Sequence, residues 1–95
     1  MVTGGADALY RAALVHWEHA FRNPALTPAE RHHHLIRALH SGREALAIDP
    51  HHTSTLTLLS VVLRTLSERD AESREALLRE AEDAASRARA SRFRS

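Results

Sequence analysis

Histidine is the residue type in this chain best suited to chemistry near neutral pH, and there are eight among 95 residues. A neutral imidazole binds transition metals and moves protons at physiological pH. Three of the eight, His32-His33-His34, are consecutive. On a helix such a run points in three directions and cannot chelate one ion. The pairs His16 with His19 and Glu30 with His33 stand at i, i+3, on one helix face. Carboxylate-bridged di-metal bundles use a Glu-x-x-His motif twice, with two further glutamates. Here there is one copy, at the start of a helix, so no metal ligand is assigned. Solvated surface histidines are the plainer reading; a histidine-based metal- or small-ligand-binding bundle is the alternative function.

Other chemistry finds less support. Arg87, Arg89, Arg92 and Arg94, interleaved with serine and Phe93, could meet phosphate or an acidic partner. All 13 basic residues are arginine, but 12 acids balance them to a net charge of +1. No global field favours nucleic acid, and the run reads as a basic helix end. No nucleophile stands beside a base in the sequence, and there is no glycine-rich phosphate loop or inward carboxylate pair. No catalytic residue and no cofactor are therefore assigned, and the chain reads as a non-enzyme. There is no cysteine, which excludes disulfides and thiolate metal sites. No apolar run is long enough to span a membrane. The N-terminus lacks the regions of a signal peptide, so the expected location is cytoplasmic.

Four helices must carry these residues. Met1 to Ala6 reads as a loose leader, with Asp7 as N-cap of a first helix reaching about Arg22. Leu9, Ala13, Trp17, Ala20 and Phe21 mark its core face, with Tyr10 and Leu14 at the edge. Asn23-Pro24 breaks it. Thr27-Pro28-Ala29-Glu30 has the form of a capping box with proline in the first turn, and predicts a second helix over about residues 28–48. Ala38, Gly42 and Ala45 form a small-residue stripe that lets another helix come close. Asp49-Pro50 stops this helix. The third helix, about residues 52–67, is apolar nearly all round and should be the most buried. A fourth follows over about residues 71–89, with Leu77, Ala81, Ala84 and Ala88 inward. The fold class is all-α: four antiparallel helices as two hairpins, one domain over residues 7–91, with a basic tail over residues 92–95.

Two stretches share a spacing. Tyr10, Ala13, Leu14 and Trp17 are matched by Leu56, Leu59, Ser60 and Leu63. This resembles the first helix of a tetratricopeptide repeat, and Ala38, Gly42, Ala45 and Pro50 resemble the end of its second. Gly42 stands where the family has a bulky aromatic, and the interval from Tyr10 to Leu56 exceeds the family period of about 34 residues. Another antiparallel helical repeat or a plain four-helix bundle fits the same pattern. The resemblance implies a scaffold for protein segments, bound along a concave face. Carried over residue by residue, that face is Arg11, Val15, Glu18 and His19, then Ser54, Thr57, Val61 and Arg64. The implied function is non-catalytic protein–protein interaction, as an adaptor or small subunit, with an acidic partner segment favoured by the two arginines. Nucleic acid and membrane are not expected partners. Two hairpins leave end faces uncovered, which implies a larger partner or a homodimer.

Overall fold

The computed structural model describes residues 5–94, and side chains over residues 5–91. It contains four helices: α1 (Gly5–Arg22), α2 (Pro28–Ile48), α3 (Thr53–Arg69) and α4 (Arg74–Arg94). No strand occurs among the described residues. Helix α1 packs along α2 and α3 along α4, making two hairpins. The hairpins join through α2 against α3, while α1 touches α3 only lightly.

The local signals act as their chemistry dictates. Thr27 Oγ1 accepts from the Glu30 backbone N–H at 3.1 Å, and Glu30 Oε1 accepts from the Thr27 N–H at 2.9 Å. This closed capping box starts α2 at Pro28. These bonds, the backbone one foremost, hold the Glu30 carboxyl below its ordinary value. The other termini differ from expectation. Helix α1 already includes Gly5 and Ala6, which places Asp7 inside its first turn rather than at the cap. Residues 1–4 of the expected leader lie outside the described residues. Helix α3 begins at Thr53, with His52 as its N-cap, and α4 begins at Arg74 rather than Ala71. The Asp70 carboxylate instead accepts from the Ser73 N–H at 3.2 Å, holding a short turn. Helix α4 runs on through Arg92 to Arg94, part of the expected tail.

Burial follows the apolar pattern. Helix α3 is the most enclosed, with Leu56, Leu58, Leu59, Val62, Leu63 and Leu66 in the core. Leu35, Ala38 and Leu39 meet them from α2, and Ala81, Ala84 and Ala88 from α4. The buried hydroxyls are all bonded: Ser60 Oγ donates to the Thr57 carbonyl and Ser67 Oγ to that of Arg64. Helix α1 contributes only alanines to the fully buried set: Ala6, Ala13 and Ala20. Phe21 departs from expectation. It is 53% exposed and packs its ring on Trp17 at 4.3 Å, beyond the end of the core.

Arginines tie the helices together by their backbones. Arg31 Nε donates to the Ala20 carbonyl at 2.7 Å and Arg74 Nε to that of Ser67 at 3.1 Å. Arg87 Nη2 donates to the Pro50 carbonyl at 2.7 Å. The last carbonyls of a helix lack intrahelical partners, and a planar, permanently charged donor satisfies them well. Arg43 and Glu80 add a two-pronged ion pair from α2 to α4, at 3.0 and 2.6 Å.

Gly42 lies where the two hairpins meet. A Cβ built on it would stand 2.8 Å from Leu59 Cδ2 and 2.9 Å from its Cγ. Alanine here would gain about 1 kcal/mol in helix propensity, against an overpacking cost of about 1–3 kcal/mol. Leu59 is only 2% exposed and has little room to yield, so the steric cost wins. Gly42→Ala should lower the melting temperature, and Gly42→Leu should lower it further, by several degrees per kcal/mol. An unchanged melting curve for Gly42→Leu would mean that α2 does not approach α3 at this point.

Candidate functional site

Six of the eight residues implied as a binding face separate into two hollows. The first, of about 350 Å³, lies between α1 and α3 and is lined by Tyr10, Trp17, Thr53, Ser54, Thr57, Leu58 and Val61. The second lies on the outer side of α1, among Val15, Glu18, His19, Arg22 and Asn23. They share no lining residue. Ser54, Thr57 and Val61 thus fall in one and Val15, Glu18 and His19 in the other. Arg11 and Arg64 line neither; both are exposed, and neither guanidinium has an ion-pair partner among the described residues. Glu18 is engaged by Arg22 at 3.1 Å, one helical turn on.

The α1–α3 groove has an apolar wall that the concave-face assignment missed. Tyr10 and Trp17 pack against the core while also bordering the hollow. Their spacing on the core stripe reads as burial alone, and only the light α1–α3 contact leaves their outer edges open. Thr53, Ser54 and Thr57 place hydroxyls along the opposite side.

At one end of the groove stands a three-residue relay. Asp7 Oδ1 is 2.6 Å from His52 Nε2, and His52 Nδ1 is 2.7 Å from Thr55 Oγ1. Carboxylate, imidazole and hydroxyl in line have the connectivity of a nucleophile with its base and orienting group, which the sequence did not reveal. The surroundings give it a different task. Thr55 is fully buried, and its backbone N–H also donates to His52 Nδ1, at 3.3 Å. Nδ1 is therefore the acceptor and Nε2–H the donor to Asp7. The imidazole caps α3 and ties its start to α1, while Tyr10 stacks on it at a ring distance of 5.6 Å. Histidine is an uncommon N-cap, so residue type gave no signal for it.

Four of the other histidines, His16, His19, His33 and His34, gather at the α1–α2 seam. His16 Nδ1 lies 3.1 Å from His34 Nδ1. Their ring centroids are 5.3 Å apart, so the two nitrogens face each other nearly head-on, as a hydrogen bond requires. His19 stacks on His34 at 5.5 Å, and His33 stands 6.2 Å from His34. Of the i, i+3 pairs, His16 and His19 both meet His34, whereas Glu30 and His33 turn to different partners. Glu30 serves the cap, and His33 Nε2 accepts from Arg37 Nε at 3.4 Å. Among the described residues, no three or more His, Asp or Glu side chains are disposed to hold a metal ion. Of the C-terminal arginines, Arg87 is bound to Pro50 and to Asp83; Arg89 borders a shallow recess with Thr57, Ser60, Ala85 and Ala88.

No family model, curated protein or solved structure matches this chain.

The cap role of His52 is directly testable. His52→Ala removes the α3 cap, for about 1 kcal/mol. It also leaves the buried Thr55 hydroxyl without its partner, for about 1–3 kcal/mol more. Denaturant unfolding should show His52→Ala well below the parent, and Asp7→Ala, which leaves the cap in place, only slightly below. Equal losses in the two variants would mean that the Asp7 tie, not the cap, holds α3.

Proposed function

We propose that this chain is a non-catalytic protein-interaction module of tetratricopeptide-like form, which takes a partner segment in the groove between α1 and α3. The observation that carries the reading is the make-up of that groove. Tyr10, Trp17, Leu58 and Val61 offer apolar surface, and Thr53, Ser54 and Thr57 offer hydroxyls beside it. Aromatic anchors with a polar rim are what protein interfaces use. Val61 is 41% exposed and available to a ligand. Arg11 follows Tyr10 in the chain and Arg64 stands three residues beyond Val61, both exposed cations without ion-pair partners among the described residues. An acidic segment with an aliphatic anchor complements this set by charge-assisted hydrogen bonds.

Trp17 is the single tryptophan and borders the groove, so its emission reports occupancy. A photo-crosslinking residue at Thr57 should capture the partner from extract of the native host. The captured segment, as a synthetic peptide, should shift Trp17 fluorescence. The double change Arg11→Glu with Arg64→Glu should weaken binding at least tenfold with nearly unchanged helicity and melting, since exposed ion pairs contribute little. Undiminished binding by the double mutant, with cross-links only at Val15 or Asn23, would move the site to the outer hollow of α1.

Self-association as a two-fold homodimer belongs to the same reading. Val15, Phe21 and Ile36, all on the first hairpin, are 49%, 53% and 43% exposed. Sedimentation at high concentration should give a dimer that Phe21→Glu dissociates. A monomeric parent would remove this part of the proposal.

A further inference from the structure

The histidine cluster sits on the seam that holds the first hairpin closed, and its chemistry limits how many protons that seam can carry. In the His16–His34 pair one Nδ1–H donates and the other Nδ1 accepts. One added proton can go to the donor ring at its Nε2, and the bond survives. A second must go to the accepting Nδ1, and then two N–H groups on two cations face each other at 3.1 Å. His19 lies stacked on His34, and His33 stands edge-on to it at 6.2 Å. Arg37 adds a permanent charge.

We infer that this cluster is an acid-operated latch: protonation of His16 and His34 releases α1 from α2.

The groups facing the pair come from both helices. Helix α1 supplies His19; α2 supplies His33 and Arg37, all acting on His16 with the same sign. Of the acids nearby, Glu30 interacts with His34 but is already committed to the Thr27 cap, and Glu18, between His16 and His19 in the chain, is paired with Arg22. None of the charges acting on His16 comes from α3. Burial first, then His34, Arg37, His19 and His33, lower the His16 pKa below its ordinary value. The unfolded or undocked form therefore binds more protons, so stability rises with pH. It is complete above about pH 6.5, the ordinary histidine value, and falls as the pH drops below it. The Glu30 cap weakens only in the lower carboxylate range, which separates the two effects.

Helix α1 is the element a charge effect can move. Its fully buried residues are all alanine, and small side chains contribute little burial. Tyr10, Leu14 and Trp17 hold it only from the edge of the core. The inference does not depend on the groove having a partner. It does carry a consequence for one, because Tyr10 and Trp17 leave with α1.

The test is hydrogen exchange of backbone amides from pH 7.5 to 5.5, corrected for intrinsic rates, alongside melting curves. In the parent, protection of α1 should fall at least tenfold while that of α3 changes much less. The double variant His16→Gln with His34→Gln keeps side-chain hydrogen bonding without titration, and should lose most of this pH dependence. If it does not fold, the imidazole resonances of the parent decide: His16 should titrate below 6.5, in step with chemical-shift changes along α1. Equal pH dependence in parent and double variant, or His16 titration without any response in α1, would overturn the inference.

Discussion

The contact between Gly42 and Leu59 sets the distance at which the two hairpins meet. Each hairpin is built from helices adjacent in sequence, and short connections suffice to bring those together. Joining hairpin to hairpin is a separate requirement, met where α2 crosses α3. A missing side chain on α2 admits a fully enclosed leucine from α3. The stripe Ala38, Gly42, Ala45 is wholly buried around this point. Mid-helix glycine is unfavourable by itself, and close packing of the two hairpins compensates for it. The α1–α3 groove follows from the same spacing: α1 reaches α3 only lightly because α2 lies against both.

Much of the fold was legible because its signals are local. The capping box at Thr27 and the Asp49-Pro50 stop placed α2 over Pro28–Ile48. The all-round apolar character of α3 placed it at the centre. Other features depend on contacts between distant residues. Asp7 looks like a cap, but its partner is His52, on another helix. Histidine is a poor cap by type, yet here its Nδ1 accepts the Thr55 N–H while its Nε2 meets Asp7. Phe21 matches the core stripe, yet α1 outruns the core at that end, and its ring rests on Trp17 instead.

The residues expected to form a binding face show the same division. The helical wheel groups Arg11, Val15 and Glu18 on one face of α1, but cannot tell which side of that face a neighbouring helix leaves open. The structure puts Val15 and Glu18 in an outer hollow and gives the α1–α3 groove to Tyr10 and Trp17. His34 was hidden within a consecutive histidine run, whose divergent directions concealed that one ring alone would meet α1. Arginine acts mainly through the backbone here, as Arg31, Arg74 and Arg87 close carbonyls near the ends of three helices.

The alanine-only burial of α1 bears on how the chain reaches this structure. Helical hairpins are rich in short-range contacts, and such topologies fold quickly because little loop closure precedes the first favourable contacts. The large buried side chains belong to α2 and α3, while α1 and α4 each add only alanines to the buried set. A transition state built where α2 crosses α3 gathers most of the large apolar side chains, with the outer helices docking on the downhill side. Substitutions in α3 would then slow folding, while substitutions in α1 would chiefly hasten unfolding. The outer helices, α1 among them, become the natural sites of partial opening from the native state, set against an α2–α3 centre.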